Sequence, residues 1–211
     1  MKPVTQQAHD LLASLMRGTL AIDATAGNGH DTEFLARLVG PTGTVWAFDI
    51  QPLALIRTAT RLEEHQITVE LRLRSMHDPR PIDHRSRVIG IEADHAEMTD
   101  HLPVECRGQV GAIMFNLGYL PGADKSCMTL VRSTLAALDA SLEYQAPGGI
   151  LTVVAYPGHS VGQEEAEAVR TWFDQRTADG SGTLLTERVS QSGSGPQLWA
   201  LRRTSGGRNS H

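Results

Sequence analysis

Apolar positions along the chain fall into two alternating kinds of segment. Near the N-terminus they recur at helical spacing as far as Gly18, which predicts a helix over residues 1–18. Short apolar runs of strand length then alternate with longer stretches that follow the helical period. This order predicts a parallel sheet with helices packed on its faces. The predicted strands are residues 19–24, 44–48, 88–93, 110–115 and 150–155, and the predicted helices are residues 31–39, 52–65, 129–144 and 164–175.

The end of the chain has a different pattern. Two apolar runs, residues 183–189 and 197–201, are joined by a polar loop and predict an antiparallel hairpin. A parallel series that ends in such a hairpin is typical of class I methyltransferases. The predicted fold is therefore α/β, with a doubly wound, mostly parallel, seven-stranded, Rossmann-like sheet. Residues 69–74 alternate like a strand, but residues 88–93 make the better core strand, so residues 70–87 are interpreted as an insertion.

Composition narrows the classes of protein that the sequence can encode. The chain has 211 residues, of which 40% are hydrophobic, so residues 1–203 are predicted to form a single domain and the polar residues 204–211 a disordered tail. No apolar run approaches the ~20 residues that cross a bilayer, and the N-terminus lacks the apolar centre of a signal peptide. We therefore expect a cytoplasmic protein without a membrane partner. Cys106 and Cys127 belong to no ligand pattern, so no metal site is predicted.

The charge distribution bears on nucleic-acid binding. A net charge of −5 argues against a protein that holds nucleic acid through bulk charge alone. Arginines are nevertheless concentrated in one stretch of the chain, where they form either a local basic patch or ordinary solvated surface charge. They are Arg57, Arg61, Arg72, Arg74, Arg80, Arg85 and Arg87.

A glycine-containing loop follows the first predicted strand, in the string Asp23-Ala-Thr-Ala-Gly-Asn-Gly-His-Asp31. Glycines let the backbone turn tightly and approach a ligand, and the next helix presents its unpaired N–H groups to that ligand. The strand-loop-helix setting makes this loop the predicted cofactor site. Its expected cofactor-binding residues are Asp23, Thr25, Gly27, Asn28, Gly29, Asp31 and Thr32.

Two further acidic residues follow predicted core strands. Asp49 is expected to accept hydrogen bonds from the ribose hydroxyls of an adenosyl group, and Asp94 to reach the adenine amino group. Either carboxylate alone could instead cap a helix. Together they place polar groups at the carboxyl edge of the sheet, where open α/β sheets bind ligands.

The end of the glycine loop favours S-adenosylmethionine (SAM) over a dinucleotide. Dinucleotide loops have a third small residue and hold a pyrophosphate at the helix N-terminus, whereas this chain has Thr32 there, after the acidic Asp31. A carboxylate at this point would repel a pyrophosphate but would suit the ammonium and sulfonium groups of SAM. SAM is the predicted cofactor. An NAD-dependent oxidoreductase and a SAM-binding regulator without catalysis are the disfavoured alternatives.

The fourth core strand ends in the string Asn116-Leu-Gly-Tyr119-Leu-Pro-Gly122. It resembles the (Asp/Asn)-Pro-Pro-(Tyr/Phe) loop of amino-group methyltransferases, with Leu-Gly in place of Pro-Pro. Methyl transfer from a sulfonium is an in-line displacement, so the amine lone pair must face the methyl group. The Asn116 amide could accept N–H bonds from the amine, and the Tyr119 ring could stack on a base. A buried strand end followed by a plain turn is the alternative.

Another motif, Tyr156-Pro-Gly-His159, follows the fifth core strand. A protonated amine cannot attack, so a base must remove a proton, and a histidine suits that task near neutral pH. Asn116, Tyr119 and His159 are thus the expected catalytic residues, although His159 could equally position substrate or have a structural role. The expected substrate-binding residues are Leu117, Gly118, Tyr119, Lys125, Tyr156 and His159.

Taken together, five motifs resemble the YtqB/MnmM family, whose members are labelled rRNA methylases. The resemblance spans about residues 20–200, and the Asn-Leu-Gly-Tyr-Leu-Pro-Gly-x-Asp-Lys string is its most specific part. It adds Gln51 and His95 to the expected cofactor-binding residues, and Asn116 is expected to contact the cofactor as well as the amine. The chain departs from the family at Pro157, where a histidine is common, and at the hairpin turn. The motifs are the glycine loop, Phe48-Asp-Ile-Gln51, Asp94-His-Ala-Glu-Met98, Met114 to Lys125 and Tyr156 to His159.

The resemblance implies a SAM-dependent N-methyltransferase with tRNA as its substrate. It implies conversion of 5-aminomethyl-2-thiouridine to 5-methylaminomethyl-2-thiouridine at wobble position 34 in the anticodon loop, and a possible homodimer. The alternative is a class I methyltransferase that acts on rRNA, a protein amine or a small-molecule amine. The negative net charge and the short chain mildly favour that alternative.

Overall fold

A computed structural model describes residues 2–14, 18–75, 87–118, 131–158, 160–188 and 195–205. The described residues form one eight-stranded sheet with helices on both faces. The strands are β1 Leu20–Asp23, β2 Thr44–Asp49, β3 Val69–Arg72, β4 Val88–Glu92, β5 Val110–Asn116, β6 Gln145–Ala155, β7 Gly182–Arg188 and β8 Gln197–Arg203. The helices are α1 Val4–Leu12, α2 His30–Val39, α3 Pro52–Glu64, α4 Met98–His101, α5 Val131–Tyr144 and α6 Ser160–Ala178, with short 3₁₀ turns at His95–Glu97 and Val104–Cys106.

The strand order is β3-β4-β2-β1-β5-β6-β8-β7. All neighbouring strands are parallel except β8, which is antiparallel to both β6 and β7. The predicted doubly wound sheet with a C-terminal antiparallel hairpin is confirmed. Because the chain winds outward from β1 in both directions, the carboxyl ends of β1, β2 and β5 border the crevice where such sheets bind ligands.

The prediction of seven strands is wrong by one edge strand. Val69–Arg72 pairs in parallel with β4 from Val69↔Val88 to Arg72↔Ile91. Val69 and Leu71 pack against the core, which explains why the alternating pattern forms a strand. Residues 70–72 therefore belong to the sheet and not to an insertion, and residues 76–86 lie outside the described residues.

The core lies on both faces of the central strands, whose side chains are apolar on both sides. This is why the central strands appear in the sequence as continuous apolar runs. One face packs against α5 and α6, and the other against α1, α2 and α3. Large residues of the first face include Ile22, Phe48, Phe115, Leu138 and Val169. Buried residues of the second face include Leu12, Ala21, Leu35, Leu55 and Met114.

Several boundaries differ from the prediction. Helix α1 ends at Leu12, so the helical part of residues 1–18 is shorter than expected. Strand β6 begins at Gln145, earlier than predicted, because Gln145 already pairs with Val110 of β5. The pairing then shifts register around Gly148, which has φ +78°, and continues from Ile150. The Thr204 hydroxyl donates to the Gly180 carbonyl at 2.6 Å, while residues 206–211 lie outside the described residues, so the disordered tail over residues 204–211 stays a prediction. No helix among the described residues is long and apolar enough to span a membrane.

Candidate active site

The loop between β1 and α2 needs both of its glycines. Gly27 and Gly29 have φ of +55° and +79°, in the left-handed region that side chains disfavour. Gly29 is the N-cap of α2, and a Cβ there would lie 2.9 Å from the Cα of Thr58. A larger residue would therefore force the loop away from α3.

The carboxylate of Asp23 stabilises this loop through two hydrogen bonds. Its Oδ1 accepts a hydrogen bond from the Thr25 N–H at 3.1 Å, and its Oδ2 accepts one from the Thr32 hydroxyl at 2.5 Å. The side chains of Asp23 and Thr32 are fully buried. This burial gives both side chains a structural role in holding the loop, and their direct contact with the cofactor stays a prediction. Burial, and next the negative charge of Asp31, raise the pKa of Asp23 to about 7.

Asp49 joins the loop to the end of β2. Its Oδ2 accepts from the Gly27 N–H and its Oδ1 from the Gln51 N–H, each at 2.9 Å. Burial raises the pKa of this half-buried carboxyl. A carboxylate has about four lone-pair sites, so Asp49 retains capacity for hydroxyl donors while it fixes the loop.

Asp94 and His95 follow β4. Asp94 accepts from the Ala96 N–H at 2.9 Å and so caps the 3₁₀ turn, as the capping alternative anticipated, while its side chain stays 38% exposed. The His95 Nδ1 lies 3.3 Å from the Ala24 carbonyl oxygen, which requires an Nδ1 proton. Burial lowers the pKa of His95, and its Nε2 is buried without a hydrogen-bond partner among the described residues. This leaves a neutral imidazole with an unused acceptor beside the cofactor loop.

Asn116 ends β5 and is held on two sides. Its N–H donates to the Thr25 hydroxyl at 2.7 Å, and its Nδ2 donates to Asp31 Oδ2 at 3.1 Å. The next residue, Leu117, has a fully buried side chain in the core. The side chain of Leu117 therefore belongs to the core, and a substrate contact at this position stays a prediction that its backbone would have to make.

Tyr156 closes one side of this group. A Cβ on Gly118 would lie 3.6 Å from the Tyr156 ring, so the ring lies against the start of the loop over residues 116–122, which we call the transfer loop. Tyr156 is 41% exposed, and burial together with the charge of Asp31 raises its pKa. The structure thus gathers Asp31, Asn116, Gly118 and Tyr156. Tyr119, Lys125 and His159 lie outside the described residues.

His9, on α1, was not among the residues predicted for the site. Its Nε2 lies 2.6 Å from Asp31 Oδ1, and its ring stacks on Phe34 with centroids 3.8 Å apart and planes 3° apart. The apolar spacing of α1 predicted only that the helix packs on the sheet. No local signal joins a residue of this helix to a carboxylate on α2.

The arginine stretch is less basic than its composition suggests. The Arg61 Nε donates to the Asn28 carbonyl, and its guanidinium lies 3.3 Å from Glu33. Other described arginines have partners too. Arg72 pairs with Glu70 and Arg74 with Glu97, while the Arg87 guanidinium donates to the Ala36 carbonyl.

Carboxylates dominate the electrostatics of the site. Asp31 and Asp49 both raise the pKa of Asp23, which means that the three charges interact. Such a site favours a ligand that carries positive charge and disfavours a pyrophosphate. No group of metal-ligating side chains occurs in the parts of the chain that the structure describes.

The sheet order and the loops at its carboxyl edge define the class of the protein. This is the fold of class I SAM-dependent methyltransferases. A family model described as "Putative rRNA methylase" matches residues 45–202, and the chain belongs to that family.

Individual relatives agree with this assignment. The tRNA (mnm(5)s(2)U34)-methyltransferase, chloroplastic, of Arabidopsis thaliana is 34% identical over 177 residues, which are 81% of this chain; the match spans 59% of that relative's length. The structure of a putative rRNA-methylase from Clostridium thermocellum matches with a TM-score of 0.80 at 33% identity, covering 96% of this chain and 98% of that one. A putative methyltransferase from Streptococcus mutans, in complex with SAH, matches with a TM-score of 0.74 at 30% identity, covering 96% and 99%.

Proposed function

We propose that the protein is a SAM-dependent N-methyltransferase that converts 5-aminomethyl-2-thiouridine to 5-methylaminomethyl-2-thiouridine at wobble position 34 of tRNA. The similarity to the Arabidopsis tRNA (mnm(5)s(2)U34)-methyltransferase supports the substrate, and the complex of the Streptococcus mutans protein with SAH supports the cofactor. The observation that carries the proposal in this chain is the placement of Asn116 beside the cofactor loop.

The described residues fit SAM as the cofactor. SAM supplies a methyl group on a sulfonium, which makes that methyl an acceptor for a nucleophile's lone pair. The negative charges of Asp31 and Asp49 suit its positive charges. Asp49 has acceptor capacity for the ribose hydroxyls, and Asp94 and His95 offer polar groups for the adenine. Thr25, Gly27, Asn28, Gly29 and Gln51 complete the proposed cofactor site.

Asn116 orients the amine in this proposal. Asp31 is acceptor-only when ionised, so the amide must turn its Nδ2 to Asp31 and keep Oδ1 as its acceptor. Oδ1 then accepts an N–H of the amine, which directs the lone pair toward the methyl group. Tyr119 stacks on the base, while Lys125 and Tyr156 contact the substrate. His159 is the proposed base that takes the amine proton.

Four wider expectations accompany this function. The enzyme binds the anticodon loop of tRNA, acts as a homodimer and resides in the cytoplasm, and residues 1–203 form a single domain. The basic patch that would contact the loop is proposed to include Arg57, Arg80 and Arg85. Substitution of the two latter arginines by glutamine should weaken tRNA binding and flatten its dependence on salt.

The direct test is transfer of a labelled methyl group from SAM to tRNA that carries 5-aminomethyl-2-thiouridine, followed by nucleoside analysis. The matched control is the same tRNA with unmodified uridine at position 34. Label in 5-methylaminomethyl-2-thiouridine, and only with the amine-bearing tRNA, is the expected result. Transfer to rRNA, to a protein or to a small amine, with none to this tRNA, would establish the alternative instead.

A further inference from the structure

Helix α1 makes a polar contact with the site that its packing does not require. Val4, Ala8 and Leu12 bury the apolar face of the helix. His9 lies beside that face with its side chain only 16% exposed, and its Nε2 is 2.6 Å from Asp31 Oδ1. The ring is stacked flat against Phe34, so the plane of the imidazole is held independently of Asp31.

The contact continues to the transfer loop. Asp31 uses its other oxygen, Oδ2, to accept from Asn116 Nδ2 at 3.1 Å. An ionised carboxylate cannot donate, so both neighbours must do so: His9 through Nε2–H and Asn116 through Nδ2–H. The direction of every hydrogen bond in the chain from His9 to Asn116 is therefore determined.

We infer that His9 is a positioning residue for methyl transfer, acting through Asp31 on the orientation of the Asn116 amide. The inference deepens the proposed function and rests on it where the reaction is concerned. Without the Nε2–H donor, Asp31 loses one of its two partners and can turn away from Asn116. The amide is then free to rotate, and Oδ1 no longer faces the amine in a fixed direction.

Two substitutions separate the hydrogen bond from the packing. His9→Phe keeps a ring against Phe34 but removes the donor, whereas His9→Gln removes the ring and keeps an N–H at the position of Nε2. We expect His9→Phe to lower kcat on the order of 10- to 100-fold, with the KM for tRNA little changed. His9→Gln should recover most of that loss.

A matched control comes from a second histidine that contacts a carboxylate. His65 Nε2 lies 3.2 Å from Glu33 Oε1, and the His65 side chain is 40% exposed. Neither His65 nor Glu33 has a hydrogen bond or ion pair with Asp31 or Asn116 among the described residues. Glu33 reaches the cofactor loop only through Arg61, whose own bond to the Asn28 carbonyl does not need His65, so His65→Phe should leave kcat unchanged. Full activity in His9→Phe together with a loss in His9→Gln would show that the ring packing alone matters and would overturn the inference.

A readout without methyl transfer distinguishes this inference from the proposed function. In ¹⁵N-labelled protein, the side-chain amide signal of Asn116 is identified by its absence in Asn116→Ala. His9→Phe should shift this signal and speed its exchange with solvent, while His9→Gln and His65→Phe should not. If the signal responds but no tRNA is methylated, the positioning chain stands and the proposed substrate fails. An unchanged signal and unchanged kcat in folded His9→Phe would refute the chain itself.

Discussion

The cofactor loop and the β3–β4 edge of the sheet use charged residues in opposite ways. At the loop, the carboxylates of Asp23 and Asp49 accept hydrogen bonds from backbone N–H groups and a hydroxyl in buried surroundings. At the edge, Arg74 Nη2 lies 3.2 Å from Glu97 Oε2, with side chains 64% and 48% exposed. Removal of a buried acceptor leaves its donors without partners, whereas water screens an exposed ion pair. The two regions should therefore respond very differently to substitution.

The largest effect on stability is expected at Asp23. Asp23→Ala leaves the Thr25 N–H and the Thr32 hydroxyl without their acceptor and should lower the free energy of unfolding by about 2–4 kcal/mol. Urea unfolding measures this loss. Thr32→Val removes only one of the two hydrogen bonds and should cost less. A cost below about 1 kcal/mol for Asp23→Ala would mean that the buried network adds no more than a surface pair.

The next effect is on cofactor affinity. Asp49→Ala removes the acceptor for the Gly27 N–H and the proposed ribose contact, so SAM should bind at least roughly tenfold more weakly, the equivalent of one charged hydrogen bond. Calorimetric titration measures the change. Asp49→Asn keeps one acceptor oxygen and should fall between wild type and Asp49→Ala. Equal affinity in all three proteins would remove Asp49 from the cofactor site.

The unusual pKa of Asp23 gives a pH signature. The pKa is raised from 3.8 to about 7 on folding, so the folded protein keeps a proton that the unfolded chain releases in this interval. The stability that this proton contributes is complete below about pH 4 and is lost as the pH rises to about 7. Asp23→Asn cannot titrate, so urea unfolding should show a flatter pH dependence for this variant than for wild type. Parallel curves would contradict the raised pKa.

The smallest effect belongs to the β3–β4 edge. Arg74→Ala should lower the free energy of unfolding by less than about 1 kcal/mol, because the pair with Glu97 is exposed. The loss should shrink further at high salt. Glu97→Ala removes the ion pair alone, whereas Arg74→Ala also removes the exposed hydrogen bond from Arg74 Nε to the Glu92 carbonyl, so Glu97→Ala should cost no more than Arg74→Ala. A loss as large as that of Asp23→Ala would erase the contrast between the two regions.

Most of the correct predictions came from patterns within short segments of the sequence. The glycine loop was recognisable because strand, turn and helix follow one another in the chain, and Asn116 because it ends an apolar run. The contact between His9 and Asp31 was not predictable, since it depends on how α1 packs across the site. Burial was not predictable either: Asp23 and Leu117 belong to the predicted motifs, and both side chains are fully buried.

The edge strand shows a second kind of limit. Val69–Arg72 has an alternating pattern that suits either a strand or an excursion, and only pairing with β4 decides between them. The arginines nearby illustrate the same point for charge. Their partners, such as Glu97 for Arg74, come from other segments, so composition alone overstated how basic this region is.

In the proposed function, Asn116 orients the amine for methyl transfer but is not itself needed to bind SAM. The most direct measurement compares wild type and Asn116→Ala in single-turnover methyl transfer to the amine-bearing tRNA, with the SAM affinity of both measured by titration. We expect the Asn116→Ala protein to transfer the methyl group roughly 100-fold more slowly than wild type, with nearly unchanged SAM affinity. An Asn116→Ala protein that transfers methyl groups at the wild-type rate, or that loses SAM binding in proportion to its activity, would contradict it.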